Sequence, residues 1–317
     1  MVGPGGALSM ASEATGDGSS RGGVVITGAS SGIGRESSLY LDRRGYRVFA
    51  GVRRAADGEA LKQAASRRLI PVIIDVIEPR TISGAVAQVE RELGEAALVG
   101  LVNNAGIGVG GPVEFLTVAE LRRGLDVNLI GPLMVTQAFM PMIRRSRGRI
   151  VNVSSIGGKV AQPLLGPYCA SKFALEALSD CLRAELKPFG ISVSIIEPGA
   201  VKTAMFEKAA NTADELARTL PADAMRYYGS EVEKIRKLIA MQDSSAVPAE
   251  RVAKVIDHAL TSARPRTRYL VGPDARIMAA LHWILPDRAF DRLLTVFTRY
   301  MARSDAAGGQ TAAKGAR

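Results

Sequence analysis

The stretch PYCASKFALEAL, Pro167 to Leu178, sets a tyrosine four residues before a lysine. On a helix of 3.6 residues per turn, positions i and i+4 share one face, so Tyr168 and Lys172 stand side by side. A free phenol has a pKa of about 10, and a neighbouring ammonium favours its ionised form. Such a pair can therefore move a proton. Taken alone it also fits an ordinary helix surface, and the rest of the chain has to decide between the two.

A second constellation is TGASSGIG, Thr27 to Gly34. Gly28, Gly32 and Gly34 allow a tight turn, close approach of backbone to a pyrophosphate, and tight helix–sheet packing. Ser30, Ser31 and Ile33 lie in the same turn, and the helix after it presents free N–H groups to phosphates. With a strand before it and a helix after it, this is the setting of a dinucleotide site. The usual ribose partner is an acid about 20 residues on. Here that tip reads AGVRR, with no acid. Arg53 places a guanidinium where a 2′-phosphate would sit, so NADP(H) is favoured over NAD(H). Asp75, followed by Val76, ends the third apolar run and can accept a hydrogen bond from an adenine amino group or cap the next turn.

These residues need elements to hold them. Apolar, β-branched runs predict strands at Val24–Gly28, Tyr46–Val52, Leu69–Val76, Ala97–Gly106, Gly148–Ser155, Ile191–Gly199 and Arg268–Gly272. Helices are expected over about Gly32–Arg44, Gly58–Arg67, Thr81–Leu93, Thr117–Arg145 and Tyr168–Phe189. Most strands are apolar on both sides, the mark of a parallel sheet covered on both faces. Right-handed crossovers then give a doubly wound α/β sheet of about seven strands in a single domain.

Composition narrows the function. The chain has 317 residues, 47% of them hydrophobic, enough for a large core. No run of 18 apolar residues predicts a spanning helix. The first basic residue is Arg21, with no apolar stretch before it, so no secretory signal is expected. Two cysteines, Cys169 and Cys181, make no disulfide framework, and a reducing cytoplasm is the expected location. His258 and His282 stand far apart and no metal is expected. The net charge of +10 suits a phosphate-bearing cofactor. Basic and aromatic residues do not interleave, so no nucleic-acid partner is expected.

TGASSGIG, NNAG (Asn103–Gly106), Asn128 in DVNLIG, Ser155 in VNVSS, YCASK (Tyr168–Lys172) and PGAVKT (Pro198–Thr203) follow one another in order. Together they resemble the short-chain dehydrogenase/reductase family, in its single-domain branch with a Rossmann fold. The resemblance covers about 22–203 and, more weakly, the chain to about Tyr300. It implies that Tyr168 is the general acid/base and that Lys172 is its partner and a donor to the nicotinamide ribose. It implies that Ser155 holds the substrate oxygen and that Asn128 holds a water in a proton relay. Ser154 adjoins Ser155, and strand alternation should send only one of them to the site. Asn104, Ala105 and Gly106 would lie beside the adenosine half. Pro198 and Gly199 would lie against the nicotinamide, with Val201 and Thr203 at its carboxamide. The chemistry would be hydride transfer between nicotinamide and a carbonyl or alcohol.

FAGVRR and the tail ARIMAALHWILPDRAFDRLL resemble retinol-dehydrogenase and 17β-hydroxysteroid-dehydrogenase members, although no N-terminal hydrophobic anchor is expected here. The expected division is a disordered tail over 1–21, a Rossmann domain over 22–274 with a helical substrate lid at about 204–241, an amphipathic helical extension over 275–303, and a disordered tail over 304–317. Met205, Phe206, Met225, Tyr227 and Tyr228, with Val160, Leu164 and Leu165, suggest an apolar pocket for a steroid-, retinoid- or lipid-like alcohol or carbonyl. The extension could cover that pocket, pair subunits or touch a membrane surface. A homodimer or homotetramer is expected, through the helical regions 117–145 and 168–189. Two other readings share parts of the pattern: a reductase of carrier-bound 3-oxoacyl groups, and a non-catalytic dinucleotide sensor. The second would be expected to have lost Tyr168 or Lys172, and both are present. An extended-type epimerase is disfavoured, because its glycine spacing is usually TGxxGxxG.

Overall fold

Seven parallel strands form the central sheet. A computed structural model of the chain describes residues 21–203 and 221–296. The strands are β1 (Gly23–Ile26), β2 (Arg47–Val52), β3 (Leu69–Ile73), β4 (Leu98–Asn103), β5 (Arg149–Val153), β6 (Ser192–Pro198) and β9 (Arg268–Val271), in the order β3-β2-β1-β4-β5-β6-β9. Every neighbouring pair is parallel. Two short strands, β7 (Val201–Lys202) and β8 (Val247–Pro248), pair separately. The chain leaves β1 toward β3, then returns to lay β4 on the other side of β1. That reversal opens a crevice at the carboxyl ends of β1 and β4.

The alternation of strand side chains builds two cores. Val24 and Ile26 face one layer with Leu39, Val252 and Ile256, whereas Val25 faces the other with Phe49, Val89 and Phe139. The first layer holds α1 (Gly32–Arg43) and α8 (Ala249–Thr261), which pack together. The second holds α3 (Pro79–Leu93), α5 (Gly131–Ser146) and one side of α6 (Gly166–Leu186). Helix α2 (Ala55–Gln63) starts three residues before its expected position.

The sequence reading did not foresee α8. Its buried Val252, Ala253, Ile256, Ala259 and Leu260 recur at helical spacing, so the signal was present. The expected helical stretch 117–145 is three pieces. Helix α4 (Val118–Leu125) opens with a capping box between Thr117 and Glu120, a π-helical turn spans Asp126–Ile130, and α5 follows. Strand β3 ends at Ile73, so Asp75 stands beyond it rather than at its end. The C-terminal extension is two helices, α9 (Pro273–Ile284) and α10 from 287 to the end of the described residues, parted at Pro286, which has no N–H to continue a helix. Helix α7 (Ala222–Ser245) carries the later part of the expected lid. Met205, Phe206, residues 204–220 generally and both expected tails, apart from Arg21, lie outside the described residues.

Candidate active site

The turn after β1 and the turn after β4 are tied to each other. Thr27 Oγ1 accepts the N–H groups of Asn104 and Ala105, each at 3.0 Å. Asn104 Nδ2 donates to the Thr27 and Gly28 carbonyls at 2.9 and 3.2 Å. Gly28 has φ +67°, and a Cβ there would sit 2.8 Å from Ala105 Cα. A Cβ on Gly34 would collide with the Gly28 carbonyl oxygen and Asn104 Nδ2. Only glycine lets α1 start this close to both turns. At the mouth of α1, Ser31 is the N-cap residue yet makes no side-chain capping bond, and the first turn carries no acid. The helix N-terminus is thus left open to an anion.

A cleft runs along this end of the sheet. Its wall holds every residue expected at the site except Gly34 and Asn128. Gly34 acts from behind, through the packing just described. Asn128 is fully buried in the π-helical turn. Its Oδ1 accepts from Ile107 N at 2.9 Å, and its Nδ2 donates to Ile107 O at 2.9 Å and Ser171 Oγ at 3.0 Å. The side-chain amide therefore clamps the loop after β4 to α6. Gly51, Val52, Ile74, Ile77, Ile107, Val127 and Val153 also line the cleft. They are small or apolar residues at strand ends, in the loops beyond them and, for Val127, in the π-helical turn, with no signal of their own in the sequence.

At one end of the cleft, Arg53 is exposed and has no hydrogen bond or ion pair among the described residues. Its neighbour Arg54 is held in a two-pronged pair with Asp57, at 3.0 and 2.7 Å. Asp75 performs the capping role: Oδ1 accepts Ile77 N–H at 3.3 Å, and its backbone is bonded by Thr81 Oγ1. Asp75 still lines the cleft.

At the other end, Ser155 follows β5, and its Oγ accepts Gly157 N–H at 3.0 Å. The Ser155 hydroxyl also favours the ionised form of the Tyr168 phenol. Both Ser154 and Ser155 line the cleft, so strand alternation does not separate them. Their surroundings do: Ser155 acts on the Tyr168 phenol, while the buried Ser154 Oγ has no partner among the described residues. Lys172 is 4% exposed, and its Nζ donates to Val153 O at 2.9 Å, 5.9 Å from the Tyr168 ring centre.

Burial favours the neutral form of both groups. It raises the phenol above its ordinary value of 10.0, and the Ser155 hydroxyl recovers only part of that. It lowers the Lys172 ammonium to about 8, against the Glu176 carboxylate one turn on. The sequence predicts that the ammonium lowers the phenol. Within the protein's own groups desolvation dominates instead, and Lys172 directs its proton at a backbone carbonyl.

Behind Lys172 lies a buried charge cluster that sequence reasoning missed. Glu197, just before Pro198, is fully buried. Arg268 Nε stands 3.3 Å from Glu197 Oε1 and 3.0 Å from Glu176 Oε2, and Arg268 Nη2 stands 2.6 Å from Asp180 Oδ2. Lys159 Nζ is 3.3 Å from Glu197 Oε1. Burial, followed by the Glu176 charge, pushes Glu197 up to about 7. One guanidinium on β9 so links α6 and the end of β6, and Lys159 adds the turn after Ser155. The only hint in the sequence was an acid ending an apolar strand.

The sequence profile described as "short chain dehydrogenase" matches residues 23–214, more than half of the chain. The chain belongs to the short chain dehydrogenase family. Among its relatives, retinol dehydrogenase 5 of Mus musculus is 38% identical over 278 residues, covering 86% of this chain and 87% of that one. The 17-beta-hydroxysteroid dehydrogenase type 6 of Bos taurus is 39% identical over 278 residues, with the same coverage of 86% and 87%. A short-chain dehydrogenase structure from Streptomyces avermitilis superposes with a TM-score of 0.69 at 27% identity, covering 90% of this chain and 97% of that one. One from Burkholderia cenocepacia J2315, in complex with NADP, gives 0.66 at 26% identity, covering 87% and 98%. The protein is thus a short-chain oxidoreductase acting on CH–OH groups, with the Rossmann fold that binds a nicotinamide dinucleotide. Its residues fit that cofactor. The open N-terminus of α1 and the glycine turn suit a pyrophosphate, and the cleft continues from there to Tyr168. Among the described residues, no helix is long and apolar enough to cross a membrane, and no three potential metal ligands come together.

Proposed function

We propose that this protein is an NADP(H)-dependent oxidoreductase of lipophilic alcohols and carbonyls, with Tyr168 as the general acid/base. The observation that carries the reading is that Ser155, Tyr168 and Lys172 line one cleft with an uncapped helix N-terminus. Gly28, Ser30, Ser31, Gly32 and Ile33 would hold the pyrophosphate, and Arg53 the 2′-phosphate. Asp75, Val76 and Asn104 to Gly106 would hold the adenosine half. Pro198, Gly199, Val201 and Thr203 would hold the nicotinamide, which when bound supplies or accepts the hydride. Arg53 supports NADP(H), because among the described residues it stands without an acidic partner at the cleft while Arg54 is neutralised by Asp57.

Ser155 Oγ holds the substrate oxygen beside the Tyr168 hydroxyl. Tyr168 gives its proton to that oxygen in reduction and takes it back in oxidation. Lys172, cationic below about pH 8, stabilises the phenolate left behind. Asn128 fixes the wall around them and keeps the relay water beside Lys172.

The lipophilic substrate is supported by the relatives named for retinol and 17-beta-hydroxysteroid. Leu164 and Leu165 are half-buried and pack against Gly110. Val160, expected in the pocket, is instead fully buried in the packing under α9. Tyr228 anchors α7 to the turn below it, bonding Glu114 at 2.8 Å and meeting Phe115 edge-on. Self-association would use the exposed Ile130 and Phe173 near α5 and on α6. The exposed Trp283 and Ile284 of α9 offer a peripheral membrane contact. The unpaired Cys169 and Cys181 suit a reducing, cytoplasmic setting. The test is a panel of retinoids, steroids, aldehydes and carrier-bound 3-oxoacyl groups, assayed with NADPH and NADH. Turnover of lipophilic carbonyls with NADPH is expected. Turnover confined to carrier-bound substrates, or no turnover at all, overturns the reading.

A further inference from the structure

We propose that Asp274 is a positioning residue that latches the C-terminal helices to the loop after β6, and so sets the nicotinamide end of the cleft. The inference rests on the cofactor reading above and adds a residue outside every motif of the sequence. Asp274 lies in the first turn of α9, and its Oδ2 accepts the Ala200 N–H at 2.6 Å. A bond that short to a carboxylate is charge-assisted. The carboxylate sits between two glycines. A Cβ on Gly199 would overlap it on one side, and a Cβ on Gly272, at φ +114°, would overlap it on the other. Gly199 N–H in turn donates to Val271 O at 2.9 Å. Both amides that follow Pro198 are therefore engaged by residues 271–274. Gly199 is glycine because a carboxylate occupies the place of its side chain.

The same segment holds the other catalytic loop. Ala275 and Phe290 are buried in a small core with Ile156 and Val160, the turn that follows Ser155. Helices α9 and α10 thus brace Ser155 from one side and Pro198–Ala200 from the other. Hydride transfer tolerates little misplacement, so a loop held by one carboxylate makes that carboxylate consequential without its touching the reacting atoms.

The experiment compares full-length Asp274→Ala and Asp274→Asn with the wild type. Three quantities are read: hydrogen exchange at the Ala200 amide, the Kd for NADPH, and the Kd for 2′,5′-ADP, which carries only the adenosine end. Asp274→Ala should lose protection at Ala200 and weaken NADPH about ten- to a hundredfold, with 2′,5′-ADP unchanged within about twofold. Asp274→Asn keeps an acceptor oxygen and should restore most of both losses. Unchanged Ala200 exchange in Asp274→Ala overturns the latch. Equal weakening of NADPH and 2′,5′-ADP shows a general loss of structure and overturns it too. A wild type that binds neither ligand refutes the cofactor reading, and Ala200 exchange then decides the latch by itself.

Discussion

Arg268 meets the fully buried Glu197 at 3.3 Å, directly behind the loop that begins at Pro198. The same Nε lies 3.0 Å from Glu176, and Nη2 lies 2.6 Å from Asp180, so one cation serves three carboxylates. Of the three acids around this guanidinium, Glu176, Asp180 and Glu197, burial pushes Glu197 up, to about 7.

A folded-state pKa raised from 4.5 to about 7 means that the native state keeps a proton the unfolded chain has lost. Stability should fall as pH rises from about 4.5 to about 7, and stay lower above that. Glu197→Gln mimics the protonated acid and should flatten this fall. Above pH 7 it should be more stable than the wild type by about 1 to 3 kcal/mol, toward the lower end because Arg268 and Lys159 lose a counter-charge. Urea unfolding at pH 5 and pH 8 measures it, and an equal pH dependence in both proteins would refute the assignment.

Tyr168→Phe removes the hydroxyl and keeps the ring. Turnover should drop by about a hundred- to ten-thousandfold, with NADPH affinity nearly unchanged. Steady-state kinetics and a fluorescence titration check the two halves separately. Surviving turnover would move the acid/base role elsewhere.

Lys172 titrates near 8 because it is buried. Its charge supports the phenolate below that pH and fades above it. Carbonyl reduction, followed as kcat/KM, should therefore decline as pH rises through about 8. Lys172→Arg stays cationic throughout and should lose that decline, whatever its absolute rate. A decline that persists in Lys172→Arg would point to another group.

Arg53 and Arg54 are adjacent but differently placed. Arg53→Ala should weaken NADPH by about tenfold or more and leave NADH unchanged, from the loss of charge-assisted bonds to a phosphate. Arg54→Ala breaks only the exposed pair with Asp57 and should change neither cofactor by more than about twofold. Equal effects of the two variants would show only a diffuse field.

What the sequence determined by itself was local. Alternating β-branched runs and helices specify a parallel sheet, because strands apolar on both sides must be covered on both. TGASSGIG specifies a phosphate turn, because its glycines permit what no other residue can. Tyr168 and Lys172 share a face because a helix repeats every 3.6 residues. What only the tertiary structure decided lies in contacts between distant segments. Asp274 reaches Ala200 across 74 positions, and Arg268 reaches Glu176 across 92. No spacing rule connects such pairs, since the sheet order that brings β9 beside β6 fixes them. Burial, likewise a property of the packed whole, raises Tyr168 among the protein's own groups. A phenol's pKa depends on how much water the fold removes from it, and that is not written in the residues next to it.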